Sequence, residues 1–213
     1  MIRTIDGDAR RRLLVRAVWD LLREGGLDAA SVRSVAAATG LSSGSVRHFF
    51  PTQTELHVFA MRELYREVAE DVQAVFAGEL PMLDVEIGWT PTEARRRVAA
   101  VLHELLPLTD RHMEMFRVHL QFTAKAATDS ALRPVADQGS DEMHNLYGQL
   151  VALLVHTGSA PADLDVARTA SDLGVMMDGL AWRRMTAPHL LSVEATYDSV
   201  TAFIDRLALG VDS

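Results

Sequence analysis

The sequence contains no cysteine, which excludes a disulfide framework, a thiolate metal site and a cysteine nucleophile, and suits a reducing compartment. Lysine is nearly absent too, since Lys125 is the one lysine among 21 basic residues. No apolar run approaches the ~18 residues of a membrane span, and charges interrupt the N-terminal "MIRTIDGDARRRLLVRAVWD" where a secretory signal would be uniformly apolar. The expectation is a cytoplasmic protein with no membrane partner. Also missing are a Gly-rich phosphate loop, an HExxH helix and a nucleophile elbow. His112 and His119 come nearest to a metal pair, but two helical turns set them ~10.5 Å apart along the axis, too far to share one ion. No enzyme, cofactor or metal is expected.

What is present reads as an ordinary globular chain, 213 residues long, 48% hydrophobic and 23% charged. The net charge of -8 is unevenly spread: residues 1–60 hold eight Arg against six acids, while residues 61–213 hold 13 basic against 23 acidic side chains. A mildly basic end on an acidic body can orient an approach to an anionic polymer.

Helical periodicity dominates and no alternating β-branched run stands out, so the fold class is all-α, with about nine helices. The first helix is expected over about 8–24, burying Leu13, Leu14, Ala17, Val18, Leu21 and Leu22 and stopped by Gly25 and Gly26. Ser31 caps a short second helix ending at Gly40. Ser42 caps a third of barely two turns, which Pro51 ends. A helix, a tight glycine-containing turn and a second helix form a helix-turn-helix pattern. Thr52 and Glu55 start a long fourth helix to about Ala77, carrying Met61, Tyr65, Val68, Val72, Val75 and Phe76 on one stripe. The segment 78–91 is expected to be a loop. Thr90, Pro91 and Glu93 then open a fifth helix. Further helices are expected at about 110–127, from 130 or 141 to 156, 163–186 and 193–209.

In "LSSGSVRHFFP", residues 41–51, small side chains precede Arg and His. A helix that enters a DNA major groove must be slim at its first turn so that its backbone can come close, and Ser43, Gly44 and Ser45 provide that. Arg47 has the reach to donate twice to a guanine edge or once to a phosphate, and both remain open. His48, Ser31 and Ser42 suit phosphate contacts beside helix starts, although both serines would cap their helices without DNA. Arg33 and Gln53 complete the candidate DNA-binding set, while Val46 and Phe50 are expected to face inward.

Residues 10–60 resemble the DNA-binding domain of the TetR family of bacterial transcriptional regulators. The resemblance rests on Leu13, Leu14, Ala17, Leu21, Glu24 and Gly25, then Ala30, Ser31, Val32, Val35, Ala36 and Gly40, then Ser42, Gly44, Val46, His48, Phe50 and Leu56. It departs from the family at Arg47 and Phe49, where tyrosines are common, and at Gln53, where lysine is usual. The lost cation should flatten the salt dependence of binding, and Arg10, Arg11, Arg12 and Arg16 could compensate.

The resemblance implies a homodimeric, ligand-responsive regulator, most readily a repressor released from a palindromic double-stranded operator by a small hydrophobic effector. Residues 1–51 would be the DNA-binding domain and 52–213 the effector-binding and dimerisation domain. For an effector the sequence offers Met113, Phe116, His119, Tyr147 and Met177, flexible or aromatic side chains that suit adaptable binding and equally suit plain core. For a dimer it offers the small-residue row Ala167, Ser171, Gly174 and Ala181 with Tyr197, Val200 and Ile204; an intramolecular contact of the same helices is the alternative. A helical protein-binding adaptor without DNA affinity is the competing function, and filter binding of genomic fragments separates the two.

Overall fold

The computed structural model describes residues 2–76 and 88–209, the side chains of 2–6 and 8 excepted. Among these, nine α-helices and one 3-10 turn account for the secondary structure, with no strand. The helices are α1 (Ile2–Gly25), α2 (Val32–Thr39), α3 (Ser43–Phe49), α4 (Gln53–Val75), α5 (Pro91–Glu104), α6 (Asp110–Ala126), α7 (Arg133–His156), α8 (Val166–Thr186) and α9 (Val193–Ala208). The all-α expectation is borne out. Pro134 falls in the first turn of α7, where its missing N–H costs no helical bond, so the helix starts at Arg133 rather than at 141. Most of the expected loop 78–91 lies outside the described residues.

Contacts group the chain into two compact units, residues 1–67 with 114–139 and residues 68–113 with 140–213. This grouping follows packing, whereas the division expected at 51/52 concerns role.

The first unit is built on a core of Leu14, Val18, Leu22, Val35, Val46, Leu56, Met61, Leu64 and Phe122, all at most 1% exposed. Leu13 is a correction: it is 49% exposed, and Val15 and Trp19 are buried instead. Three consecutive apolar residues at 13–15 leave the register of a helical stripe ambiguous by one. Trp19 decides it by donating its indole N–H to the Ala60 carbonyl at 3.2 Å, which fixes α1 against α4. Gly139 of α7 is required by packing, because a Cβ there would fall 2.5 Å from the Tyr65 ring of α4.

The second unit contains α5, α8, α9 and most of α7. Thr90 and Glu93 form a reciprocal capping box at the start of α5, with Pro91 in its first turn. The Ser159 hydroxyl donates to the Pro91 carbonyl at 2.8 Å and ties the end of α7 to this start. Asp165 caps α8 and Ser192 caps α9.

Candidate nucleic-acid interface

Local chemistry shapes the two short helices. The Ser31 hydroxyl accepts the Ser34 N–H at 3.1 Å and Ser42 accepts the Ser45 N–H at 3.0 Å, each cap being worth about 1 kcal/mol. Between the helices Gly40 takes φ 68°, a left-handed conformation that costs other L-residues about 1–2 kcal/mol. The Leu41 N–H then closes on the Ala36 carbonyl at 3.0 Å. Phe50, extended before Pro51, ends α3.

Within α3 only Val46 is buried, and Phe50 just beyond it packs on Phe59 with ring centroids 5.2 Å apart. Ser43, Gly44, Ser45, Arg47 and His48 are all exposed, as are Arg33, Ser42 and Gln53 nearby; Ser31 is half-buried. The side chains of Arg33 and Arg47 form no ion pair or hydrogen bond among the described residues. A seven-residue helix that buries one side chain and presents donors over the rest of its surface is suited to an external acceptor-rich surface. Beside it lies a groove of about 750 Å³, walled by Gly7 and Arg10 of α1 and by Gly44, Ser45 and His48 of α3.

The helices behind α3 are tied together by polar bonds that sequence reasoning did not find. His57 of α4 is buried and donates Nε2–H to the Ala30 carbonyl at 2.7 Å, directly before the α2 cap. Burial holds its pKa below the usual 6.5, so the ring is neutral near pH 7. Gln121 of α6 donates to the Leu22 carbonyl at the end of α1 at 2.9 Å, and Arg23 pairs with Glu114 and Asp20. Arg16 pairs with Glu67 at 2.8 Å and lies over Trp19, so this cation is committed to the fold. Apart from the local Arg23–Asp20 pair within α1, these bonds span 27 to 99 residues of sequence, and no local pattern marks them.

The candidate effector residues divide between the units. Phe116 and His119 belong to the first, where the His119 ring lies 5.8 Å from Tyr65 and 5.6 Å from Phe116 and desolvation lowers its pKa. Met113, Tyr147 and Met177 belong to the second, with Tyr147 and Met177 buried. Burial raises the Tyr147 phenol pKa, with a further contribution from Asp178, whose own carboxyl burial also raises. No group of three or more His, Asp or Glu among the described residues could hold a metal, and none of the described helices is long and apolar enough to cross a membrane.

The candidate dimer row is split by its burial. Ala167 and Ser171 are exposed and Tyr197 is 41% exposed. Ala181, Val200 and Ile204 are buried within the chain, and Gly174 packs against the Tyr147 ring. Ala181, Val200 and Ile204 thus make contacts inside the protomer, the alternative the sequence left open, and Gly174 is half-buried. The outward face of α8 instead carries Val175, 75% exposed, and Trp182, 57% exposed, seven residues apart and so on one stripe with Ser171.

A family described as BetI-type transcriptional repressor, C-terminal, matches residues 94–209. The HTH-type transcriptional regulator BetI of Stenotrophomonas maltophilia (strain R551-3) is 41% identical over 176 residues, covering 82% of this chain and 80% of the relative. The HTH-type transcriptional regulator PksA of Bacillus subtilis (strain 168) is 29% identical over 188 residues, covering 88% and 84%. Among solved structures, a transcriptional regulator from Rhodococcus sp. Rha1 superposes with a TM-score of 0.74 at 28% identity, covering 95% of this chain and 98% of that one. A regulator from Saccharomonospora viridis in complex with choline reaches a TM-score of 0.77 at 19% identity, covering 93% and 96%, a likeness of fold alone. These relatives are transcriptional regulators and not enzymes. The family match over more than half the chain and the identity to BetI both lead to one conclusion: the chain belongs to the TetR family of helix-turn-helix transcriptional regulators, with a C-terminal domain of the BetI repressor type.

Proposed function

We propose that the protein is a homodimeric repressor that reads a palindromic operator with α3 of each protomer and leaves it when a small molecule binds. One observation carries the proposal: every residue of α3 that could reach a base or a phosphate is exposed, and the one buried residue, Val46, is apolar. Arg47 supplies the specific contact, with Ser43, Gly44 and Ser45 keeping the helix close to the groove. Ser31, Arg33, Ser42, His48 and Gln53 supply positioning contacts. The functional DNA-binding domain is residues 1–51, and 52–213 carries effector binding and dimerisation.

Two protomers reading successive half-sites need heads about 34–36 Å apart. An effector that binds better to the form lacking this spacing shifts the population away from the operator. Helix α4 runs without a break from residue 53 to residue 75 and is the proposed lever. Met113, Phe116, His119, Tyr147 and Met177 remain the proposed effector contacts. Choline, bound by the Saccharomonospora viridis regulator, is the first compound to try. Dimerisation is proposed through the α8 stripe of Ser171, Val175 and Trp182, together with Ala167 and Tyr197 of the original set.

The test is selection of bound fragments from genomic DNA, footprinting, then titration with Arg47→Ala. The substitution should weaken operator binding by about 1–3 kcal/mol and relax preference at one base position. Unchanged operator affinity at matched salt would remove Arg47 from the reading surface.

A further inference from the structure

We propose that the groove between the N-terminal part of α1 and the recognition helix seats one sugar-phosphate strand of the DNA, with Arg10 on one wall and His48 on the other as phosphate ligands. The proposal rests on the DNA-reading function above and adds to it a second, non-reading wall from α1.

Three observations carry it. Among the described residues the groove, about 750 Å³, is lined by Gly7 and Arg10 of α1 and by Ser42, Gly44, Ser45, His48 and Phe49, none of them a carboxylate. A guanidinium, an imidazole and two hydroxyls form a lining suited to an anion. The hydroxyls of Ser42 and Ser45 lie 2.9 Å apart and share one proton, which leaves the pair a second proton to donate outward.

The two glycines are not required by the fold. A Cβ at Gly7 would meet nothing within 4 Å, and one at Gly44 only the Ser42 hydroxyl at 3.7 Å; neither glycine has a positive φ. Glycine inside a helix costs roughly 0.5–1 kcal/mol relative to alanine. The room it leaves in this groove belongs to something outside the chain, and close approach of a DNA backbone is an occupant that uses such room.

Among the arginines of α1 whose side chains are described, Arg10 alone lines the groove, and it has no ion pair or side-chain hydrogen bond with another described residue. Arg16 and Arg23 are paired with carboxylates, and Arg12, exposed, is not part of the lining. Arg47 is not part of it either. Its absence from the lining leaves its fork for base edges while the groove holds the strand.

The experiment measures operator and non-operator affinity of the full-length protein over a range of salt concentrations. The variants are Arg10→Ala, Arg10→Lys and Arg12→Ala, with Arg47→Ala in parallel and circular dichroism to confirm folding. One lost phosphate contact should reduce the slope of log K against log salt by about 0.9, so Arg10→Ala should show that change and weaken both DNAs by the same factor. Arg10→Lys should retain the slope, and Arg12→Ala, with the same change in net charge, should leave it alone. Equal effects from Arg10→Ala and Arg12→Ala would reduce Arg10 to part of a diffuse field and overturn the assignment, as would an Arg10→Ala effect confined to the operator. If Arg47→Ala acts and Arg10→Ala does not, the groove assignment fails and the DNA-reading function stands; if neither acts, both fail.

Discussion

The third and eighth helices make an instructive pair. Helix α3 has seven residues, buries one and exposes hydroxyls, a guanidinium and an imidazole. Helix α8 has 21 residues, buries five and still leaves Val175 and Trp182 in the open. A polar exposed face can be satisfied by water until an anionic partner arrives, whereas a large exposed apolar side chain stays unfavourable until a protein surface covers it. One helix is therefore suited to a nucleic acid and the other to a second protein chain, and the contrast can be tested from both sides.

The largest effect is expected away from both helices. Phe122 of α6 is completely buried in the core that supports α3, although it lies more than 70 residues further along the sequence. Phe122→Ala should cost about 3–5 kcal/mol of stability in a urea titration and abolish DNA binding through loss of the folded head. A stable variant that keeps its operator affinity would mean that α3 is supported by local contacts alone.

Next comes Trp182→Ala. An exposed tryptophan at the centre of a protein interface is typically worth about 2 kcal/mol or more, some thirtyfold in the dimer dissociation constant. Sedimentation over a range of concentrations should show this weakening with the protomer still folded. Substitutions at Ala181, Val200 or Ile204 should register in thermal stability instead. An unchanged dimer constant would take the α8 stripe out of the interface and remove the contrast with α3.

The smallest effect concerns pH. His57 stays neutral in the folded head because burial lowers its pKa from 6.5, while the unfolded chain takes up the proton. Its stabilising contribution is therefore complete above about pH 6.5 and is lost as the pH falls through the folded-state value, at no more than about 1.4 kcal/mol per pH unit. Urea titrations at several pH values from 7.5 downward should show stability falling on the acid side, with a shallower fall in His57→Gln. Parallel curves for the two proteins would show that the proton goes elsewhere.

Much of the head was legible because its instructions are local. Ser31, Gly40, Ser42, Thr52 and Pro51 act on backbone groups within a few residues, so their types and spacing suffice to place α2, α3 and the start of α4. The buried faces were less legible. At Leu13, Leu14 and Val15 periodicity alone could not choose the register, and the indole bond from Trp19 to Ala60 chose it. In α8 the row of small residues looked like an interface, yet Gly174 and Ala181 serve packing inside the chain, because a helix touched by neighbours on more than one side has more than one apolar face. His57 and Gln121 carried no signal, since their partners are backbone carbonyls that any residue provides.

By itself, then, the sequence determined that the chain is helical, where its short N-terminal helices begin and end, and which side chains α3 has to offer, because caps, turns and propensities act over a few residues. Only the tertiary structure decided which apolar residues form the core and which remain at the surface of α8. It alone brought Arg10 to the same groove as His48, since these outcomes depend on contacts between segments whose distance along the chain carries no record of their distance in space.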